Sequence, residues 1–476
     1  MQSLTLAIEP MHDASTARLT GLSARLASHA LGFDANRLPP STRRATERAI
    51  LDGIGVMLAA SGESPEAAAF VETVRAQRGP AQAALLGFGE RASTMQAAMV
   101  NGALAHALDF EDAFDPVPLH PNASLLPAAL ALAQSRRCSG LEFVAAVALG
   151  CDLVCRLGLS LRRPLEAGGW YPPPILGAFG ATLAAARLAG LDARGLCDAW
   201  SLLLAQNSCP GEIKHSPESA LRAVREAFPA QAAVLCVQLA ARGLRGFNAP
   251  FEGEAAFYAL FAGGEYDDRP LLDGLGDRFW IEQLSFKPWP CCRGTHAYIE
   301  AAQVLRDRHR FGPRDVEAVL CAGGATQEML AEPRAHKQRP RTVIDAKFSI
   351  PFTVALALSE PEVTLGNFTL AAIADPALLD LAGRCEFRRL PGNESAGGAA
   401  GELIVTLRDG RCLRHAIAQA IGGPTRPLTD EALRRKFIDC ASRAAHPLAR
   451  EQAAAYADRI LTVSVQPDAA ATLIAD

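Results

Sequence analysis

The sequence lacks an excess of charge of either sign. Its 47 Lys and Arg residues are balanced by 51 Asp and Glu residues, for a formal net charge of −4. No basic field is available to hold nucleic acid or anionic lipid, so we expect neither as a partner. The longest apolar runs, such as residues 126–133, are well short of the ~20 residues that a membrane span requires. We therefore expect a protein that binds its ligand locally and does not cross a membrane.

The sequence also lacks a targeting segment and a disulfide framework. Residues 1–20 have no basic start followed by a continuous apolar stretch, so they do not resemble a signal or transit peptide. The 12 cysteines are scattered through apolar, Ala-rich stretches. Such usage is typical of buried thiols in a reducing compartment. We expect a cytoplasmic protein.

Common cofactor motifs are missing as well. The sequence has no G-x-G-x-x-G after a strand, no G-x4-G-K-[ST], no H-E-x-x-H and no G-x-S-x-G. Cys151 and Cys155 have no matching second pair, and Cys291 and Cys292 are too close together to chelate zinc by themselves. These absences favour chemistry without a cofactor or a resident metal.

Helical periodicity dominates the first half of the chain. With 49% hydrophobic residues, 476 residues are enough for two or three domains. Up to residue 264, apolar residues recur at the three- and four-residue spacing of helices. The predicted helices span residues 16–31, 41–61, 65–77, 94–108, 123–134, 140–157, 174–189, 193–206, 226–242 and 253–261.

The pattern changes after residue 266. Short strands are predicted at 279–286 and 316–321, a hairpin at 402–407 and 412–417, helices at 295–308 and 344–358, and a Gly-rich loop at 392–401. Helical pattern returns at 429–442 and 447–460. The prediction is a mainly α fold with an inserted α+β domain, that is, a large all-helical domain and a smaller α/β lid domain. Residues 1–272 form the first part of the helical domain, 273–418 the lid, and 419–476 C-terminal helices that rejoin the helical domain.

The first candidate site segment spans residues 101–122. His106 and Asp109 are three residues apart and are predicted to share a helix face, as are Asp109 and Asp112. Carboxylates at a helix C-terminus are disfavoured by the helix dipole, so their charge is either compensated by other groups or used in chemistry. The structural alternative is that Asp109 and Asp112 cap neighbouring helices. His120 precedes a predicted helix whose free N–H groups favour a substrate carboxylate, although a single histidine more often has a structural role.

Two further segments carry an aromatic residue and a group of cations. Tyr171 lies before three prolines at a predicted helix start, where it is either a proton carrier or a packing residue. Lys214, His215, Arg222 and Arg225 lie within twelve residues of an otherwise apolar domain. Such cations suit a carboxylate substrate through charge-assisted pairing, and a solvated helix face is the alternative.

The fourth segment, residues 285–296, reads S-F-K-P-W-P-C-C-R-G-T-H. It runs from a predicted strand into a helix and places Lys287, Arg293 and His296 near the junction. A disulfide between the adjacent Cys291 and Cys292 would close a strained ring, so packing is favoured over redox activity.

Together the four segments resemble the MmgE/PrpD family, which includes 2-methylcitrate dehydratase, cis-aconitate decarboxylase and iminodisuccinate epimerase. The most specific runs are N-G-x-x-A-H-A-L-D-F-E-D with H-P-x-A-x-x-L-P-A-A-L-A-L-A at 101–133, and F-K-P-W-P-C-C-R-G-T-H at 286–296. F-E-G at 251–253 and D-A-K-F-S at 345–349 fit as well. The resemblance covers nearly the whole chain. It implies a homodimer with a cofactor-independent active site in the cleft between a helical domain and an inserted lid.

The resemblance places Asp109 and His120 on positions that line the family's active site, and Lys287, Thr295 and His296 on its lid motif. The chain also departs from the decarboxylase-like members at several positions. These are Ala113 in place of a threonine, Tyr171 and Cys292 in place of histidines, and Arg222-x-x-Arg225 in place of K-x-x-H, with Lys214 as the nearest upstream lysine.

The resemblance implies proton movement at a carbon next to a carboxylate. Such chemistry needs a positioned acid and base, and cations that stabilise an enolate-like intermediate. We expect the catalytic residues to be Asp109, His120, Tyr171 and Lys214, and the substrate-binding residues to be Arg222, Arg225, Lys287, Cys292 and His296.

The predicted function is a cofactor-independent lyase that acts on a small di- or tricarboxylic acid, similar to 2-methylcitrate dehydratase. Dehydration is favoured over decarboxylation because the family histidines are missing. The alternatives are an epimerase or isomerase of a dicarboxylate, a cis-aconitate-type decarboxylase, and a non-catalytic relative that binds carboxylates.

Overall fold

The computed structural model describes residues 20–216, 218–390 and 399–474. Helices contain 59% of the chain and strands 9%. The prediction of a mainly α fold with a smaller α/β domain is therefore confirmed. Residues 16–19 of the first predicted helix and most of the predicted loop at 392–401 lie outside the described residues.

The first part of the chain forms a helical unit. Its helices are α1 (Leu22–Gly32), α2 (Pro40–Glu63), α3 (Pro65–Gln77), α4 (Thr94–Ala107), α5 (Pro121–Arg136), α6 (Gly140–Ser160), α7 (Pro172–Ala189), α8 (Ala193–Leu204), α9 (Leu221–Val224), α10 (Ala227–Ala240), α11 (Phe257–Ala262) and α12 (Arg269–Leu272), with a small antiparallel hairpin of β1 (Ala83–Leu85) and β2 (Glu90–Ala92). At its centre α5 and α10 pack against α4 and α7, and α6 packs against α7. Glycine permits the closest approach, because a Cβ on Gly180 would lie 2.5 Å from the carbonyl oxygen of Gly150.

The lid that follows contains a four-stranded sheet. Its elements are α13 (His296–His309), β3 (Val316–Gly323), α14 (Ala325–Glu328), α15 (Arg334–Lys337), α16 (Val343–Lys347), α17 (Ile350–Ser359), α18 (Leu370–Ile373), α19 (Pro376–Gly383), β4 (Cys385–Arg389), β5 (Gly401–Leu407) and β6 (Cys412–Ile417). The strand order is β4-β3-β5-β6, with β3 and β4 parallel and the other pairs antiparallel. Side chains on β5 alternate between buried and half-buried, and α13 packs against β5 and β6.

The chain ends with α20 (Asp430–Ser442), α21 (Arg450–Ile460) and α22 (Ala469–Thr472). α20 packs against α2, and α22 packs against α5, so these helices return to the first helical unit. Lys436 on α20 lies 2.7 Å from Asp52 on α2 and donates to the carbonyls of Phe110 and Lys287. The C-terminal helices therefore support the loops that carry the candidate site. The three domain boundaries given above stay predictions.

Three of the predicted elements are wrong or misplaced. Residues 279–286 contain a 3-10 turn (Trp280–Gln283) instead of a strand, because Asp152 accepts the Trp280 amide and only Ser285 forms a bridge, to Ala113. The helix predicted at 344–358 is two helices, since Ser349 caps the second one and Pro351 lies in its first turn. The helix predicted at 253–261 is limited to α11.

α6 is longer and more apolar overall than the uninterrupted apolar runs of the sequence suggest. Its 21 residues are long and apolar enough to cross a membrane, but 94% of the apolar window is buried inside the protein. It therefore has the burial of a core helix.

Candidate active site at the cleft between helical unit and lid

The site is built around the turn that follows α4. The helix ends at Ala107, and Asp109 has a left-handed backbone with φ of 48°. Few residues other than glycine adopt this conformation, and aspartate is among those that tolerate it. Asp109 therefore lies beyond the helix, so the helix face predicted for His106 and Asp109 and the one predicted for Asp109 and Asp112 are both wrong. The turn brings one ligand atom each from His106, Asp109, Glu111 and His120 to within 4.8 Å of one another.

Glu111 connects two histidines through one carboxylate oxygen. Its Oε1 lies 2.5 Å from His106 Nδ1 and 3.0 Å from His120 Nδ1. Burial opposes ionisation of Glu111, but the neighbouring His106, Lys287 and His120 hold its pKa well below its usual range. Glu111 is therefore ionised, accepts a hydrogen bond from His106 and lies beside the His120 ring.

His120 is held in one tautomer by these contacts. Its Nδ1 also lies 2.9 Å from the carbonyl oxygen of Asp112. Both neighbours of Nδ1 are acceptors, so Nδ1 carries the proton and Nε2 has a free lone pair. Burial lowers the pKa of His120 to about 3, assisted by Lys287 and His106 and opposed by Glu111. The ring is neutral at neutral pH.

Lys287 joins the lid to the turn of the helical unit. Its Nζ lies 2.6 Å from Asp109 Oδ1 and 2.9 Å from the Asp109 carbonyl oxygen, and both side chains are fully buried. Burial alone lowers the pKa of Lys287, but Asp109 and Glu111 raise it above its ordinary value. The pair is therefore a fixed positive and negative charge at the centre of the site.

Lys347 is a second buried lysine of the lid that contacts the same turn. Its Nζ donates to the carbonyl oxygen of Leu108 at 2.6 Å. Burial lowers the pKa of Lys347 to about 8, and Asp109 partly opposes this shift. It satisfies a carbonyl at the end of α4 that has no partner inside the helix.

The predicted cations of the helical unit surround Tyr171. The Arg225 guanidinium lies 4.9 Å and the Lys214 ammonium 5.2 Å from the Tyr171 ring. Burial raises the pKa of Tyr171, while Arg225 and Arg222 oppose that shift, so the hydroxyl is a neutral donor. Lys214 is at the rim, where it pairs with Glu166 at 3.4 Å.

The two arginines retain unpaired donors. Arg222 lies over the Phe348 ring at 3.5 Å, and its Nε has no hydrogen-bond partner in the described part of the chain. Arg225 donates to the Arg222 carbonyl oxygen, and its Nε lies 3.0 Å from Glu226 in poor alignment, so Nη2 and Nε are also without hydrogen bonds among these residues. Buried unpaired guanidinium donors indicate an anion-binding position.

Two residues of the lid motif have different surroundings. Burial raises the pKa of Cys292 to about 11, which leaves an uncharged thiol near Asp109 and Lys287. Both ring nitrogens of His296 have neighbours within the motif itself, Cys291 O at 3.1 Å and Arg293 Nη1 at 3.3 Å. His296 therefore offers substrate no free nitrogen in this arrangement, and its substrate-binding role stays a prediction.

The cluster of His106, Asp109, Glu111 and His120 contains ligand types that suit a transition metal. However, the Lys287 ammonium lies 2.6 Å from Asp109. The chain thus supplies the positive charge that a cation would bring to the carboxylate. The cluster is better suited to proton transfer than to holding an ion.

Sequence reasoning did not select Glu111, Lys347 or Asp112 as site residues. Glu111 and Asp112 belong to the recognised D-F-E-D run, so the motif itself was the available signal. Lys347 belongs to the D-A-K-F-S run.

Burial, followed by the charges of Asp52 and Glu111, raises the pKa of Asp112 to about 8.

The fold and the site define a class of protein: a helical unit that carries a histidine, an acid and arginines, closed by an α/β lid that carries a lysine. The family model of the MmgE/PrpD N-terminal domain matches residues 24–269, and that of the MmgE/PrpD C-terminal domain matches residues 289–460. The chain belongs to the MmgE/PrpD family.

Curated relatives are similar along most of the chain. The cis-aconitate decarboxylase-like protein oryM of Aspergillus oryzae is 23% identical over 88% of this chain and 90% of its own length. Cis-aconitate decarboxylase of Homo sapiens is 27% identical over 73% of this chain and 72% of its own length. Cis-aconitate decarboxylase of Aspergillus terreus is 22% identical over 88% of this chain and 89% of its own length. The family therefore includes lyases, and the recognition made from the sequence is confirmed.

Proposed function

We propose that the protein is a cofactor-independent lyase that removes a proton from the carbon next to a carboxylate of a small di- or tricarboxylic acid and eliminates water. The observation that supports this proposal is the state of His120. Its Nδ1 is held by Glu111 and the Asp112 carbonyl, and its contacts in the described chain leave Nε2 available. Nε2 is the general base of the proposed reaction.

Charge on the substrate activates this base. A pKa of about 3 makes the free His120 a weak acceptor. Bound carboxylates add negative charge beside the ring, which raises its pKa toward the working pH. Arg222 and Arg225 offer donors that bind carboxylates of the substrate, and those of Arg225, beside Tyr171, stabilise the enolate-like intermediate.

Tyr171 completes the elimination as the general acid. The C–H bond breaks as Nε2 of His120 takes the proton, and the electron pair forms the carbon–carbon double bond. The bond to the leaving hydroxyl breaks as Tyr171 donates its proton, so water departs. The proton on His120 then returns to the tyrosinate through solvent. Lys214, at 5.2 Å from the ring, favours the transient tyrosinate.

Decarboxylation is the second candidate, and it is supported by the relatives that are cis-aconitate decarboxylases. In that reaction the carbanion left by loss of carbon dioxide takes the proton of Tyr171. Dehydration ranks first because Ala113 replaces a threonine, and Tyr171 and Cys292 replace histidines, of the decarboxylase-like members. The Cys292 thiol has a pKa of about 11, so it is uncharged and does not act as a charged imidazole does.

Proton NMR in heavy water tests the proposal. Citrate-, methylcitrate-, aconitate-, malate- and iminodisuccinate-like acids are incubated with the protein without added cofactor. An alkene signal indicates dehydration, deuterium on a carbon beside a carboxylate without an alkene indicates epimerisation, and loss of carbon dioxide indicates decarboxylation. His120→Ala should abolish the signal, and His309→Ala, at the end of α13, should retain it. Turnover that survives in His120→Ala contradicts the assigned base.

We also propose a cytoplasmic homodimer. All 12 cysteines are free thiols, which supports a reducing compartment. Exposed apolar side chains on the helical unit, such as Phe228 and Leu260, support a covered face. Light scattering of the purified protein should give twice the chain mass of 50.3 kDa.

A further inference from the structure

A large cavity lies next to the proposed site, between the helical unit and the lid. It has a volume of about 590 Å³ and is lined by residues 213–216, 219 and 222 on one side and by residues 329, 330, 332, 333, 336, 337, 344 and 345 on the other. Arg222 lines the cavity and also lies over Phe348, whose ring centroid is 6.5 Å from that of His106. The cavity therefore adjoins the site at Arg222.

The cavity walls carry more cationic than anionic side chains. Lys214, Arg222 and Lys337 line the cavity together with two carboxylates, those of Glu332 and Asp345. Glu332 Oε2 already accepts the Arg334 amide at 2.6 Å. Asp345 is shared, with its Oδ2 at 3.1 Å from His336 and its Oδ1 at 3.4 Å from Lys337.

Lys337 is therefore only partly satisfied. Its side chain is 8% exposed, and a separation of 3.4 Å is long for a charge-assisted hydrogen bond. An ammonium group has three donors, and Asp345 is its only hydrogen-bond acceptor in the described part of the chain. Arg222 is 9% exposed and has its unpaired Nε. Both cations line the same cavity and retain spare donors, which favours the binding of an anion there.

The size of the cavity points to the kind of ligand. Pockets of roughly 300–1,000 Å³ take drug-sized molecules. The reacting part of a small acid fills little of that space. The remaining volume has room for a further part of the same molecule.

We propose that Lys337 and Arg222 bind a second carboxylate of the substrate, carried several bonds from the reacting carbon, so that the substrate is an elongated polycarboxylic acid. This inference rests on the proposed function for the identity of the reacting part. In this proposal Lys337 determines the specificity for long diacids over acids that end in an apolar group.

Calorimetric titration with unreactive probes tests the inference. The probes are the straight-chain α,ω-dicarboxylic acids from succinate to azelate and the monocarboxylic acids of matched length. We expect diacid affinity to rise to an optimum length, where the diacid binds about 10-fold to 100-fold more tightly than its matched monoacid. Equal affinity of diacid and monoacid at every length overturns the inference, and this comparison needs no variant.

Variants then locate the second position. Lys337→Met should remove the diacid advantage and leave the monoacid affinity unchanged, whereas Lys337→Arg should keep most of the advantage. Lys337→Met that retains the full advantage contradicts the role of Lys337. The outcome is separate from that of the lyase proposal: a diacid advantage without deuterium exchange in any acid removes the lyase assignment but retains the binding site.

Discussion

Glu111 Oε1 and His120 Nδ1 lie 3.0 Å apart in the buried turn that follows α4. The same oxygen lies 2.5 Å from His106, so one carboxylate orients two rings. The Asp112 carbonyl holds the tautomer of the base, and a carboxylate in the position of Glu111 stabilises the imidazolium that forms when the base accepts a proton. The geometry makes Glu111 a positioning residue for His120.

Glu111→Gln tests this relationship. The amide keeps the shape of the side chain but removes its charge, and its NH2 group is able to face a histidine nitrogen. We expect kcat to fall by roughly 10-fold to 1,000-fold, within the contribution of a positioned base, with a smaller change in KM. The measurement is steady-state turnover of the acid identified by NMR.

A spectroscopic readout separates positioning from a general structural effect. The pH dependence of the ¹⁵N shifts of His120 should show the imidazolium forming at a lower pH in Glu111→Gln than in the wild type, because the Glu111 carboxylate raises the pKa of His120. Glu451→Gln, a change at an exposed position on α21, is the matched control. An unchanged titration of His120 together with unchanged kcat contradicts the role of Glu111.

The ion pair between Lys287 and Asp109 yields a prediction about stability. Lys287→Met leaves the Asp109 carboxylate buried without its ammonium partner, a change that typically costs about 3–5 kcal/mol. The double variant Lys287→Met/Asp109→Asn removes both charges and should recover part of that loss. Denaturant unfolding measures both variants. Lys287→Met as stable as the wild type would mean that Asp109 finds another partner, such as the nearby Lys347.

Arg222 yields a prediction about affinity. Arg222→Met retains much of the packing on Phe348 but removes the guanidinium donors. Loss of a charge-assisted hydrogen bond of about 1.5–3 kcal/mol corresponds to a rise in the Kd of a dicarboxylate of about 10-fold to 150-fold. Arg242→Met, which changes an exposed arginine after α10, should leave Kd unchanged. Equal Kd values for the wild type and Arg222→Met exclude a substrate-binding role for Arg222.

Local patterns predicted much of the architecture and part of the site. The helix periods and the hairpin at Asp409-Gly410 are local signals, and the structure shows the corresponding helices and β5–β6. Residues 279–286 have a strand-like composition, but no strand in the described part of the chain pairs with them, and Asp152 accepts the Trp280 amide instead. β4 was missed because its pairing with β3 depends on a partner more than 60 residues away in sequence.

The site residues show the same contrast between features set by local sequence and features set by contacts between distant segments. Asp109, His120 and Lys287 were selected from the sequence because each belongs to a contiguous motif, and their roles stay predictions. The left-handed backbone of Asp109 and the partly satisfied state of Lys337 were not predictable, since both depend on contacts between the helical unit and the lid. Spacing along one segment does not contain that information.

Asp112 yields a prediction about pH. Burial and the charges of Asp52 and Glu111 raise its pKa from 3.8 to about 8. Between these values the folded protein holds a proton that the unfolded chain has released, so the group reduces stability as pH rises. The slope is at most about 1.4 kcal/mol per pH unit for one proton, and the loss is complete above the folded-state pKa.

Asp112→Asn removes this titration while keeping a side chain of the same shape. The variant should match the wild type near pH 4, become progressively more stable than the wild type as pH rises to about 8, and keep a constant advantage above that pH. Denaturant unfolding at a series of pH values measures the difference. Asp307→Asn, at a side chain that is 71% exposed, should show no such trend. A constant difference between Asp112→Asn and the wild type from pH 4 to pH 9 would show that Asp112 is ionised in the folded protein, and the neighbouring Glu111 or Asp52 would then have to hold the proton.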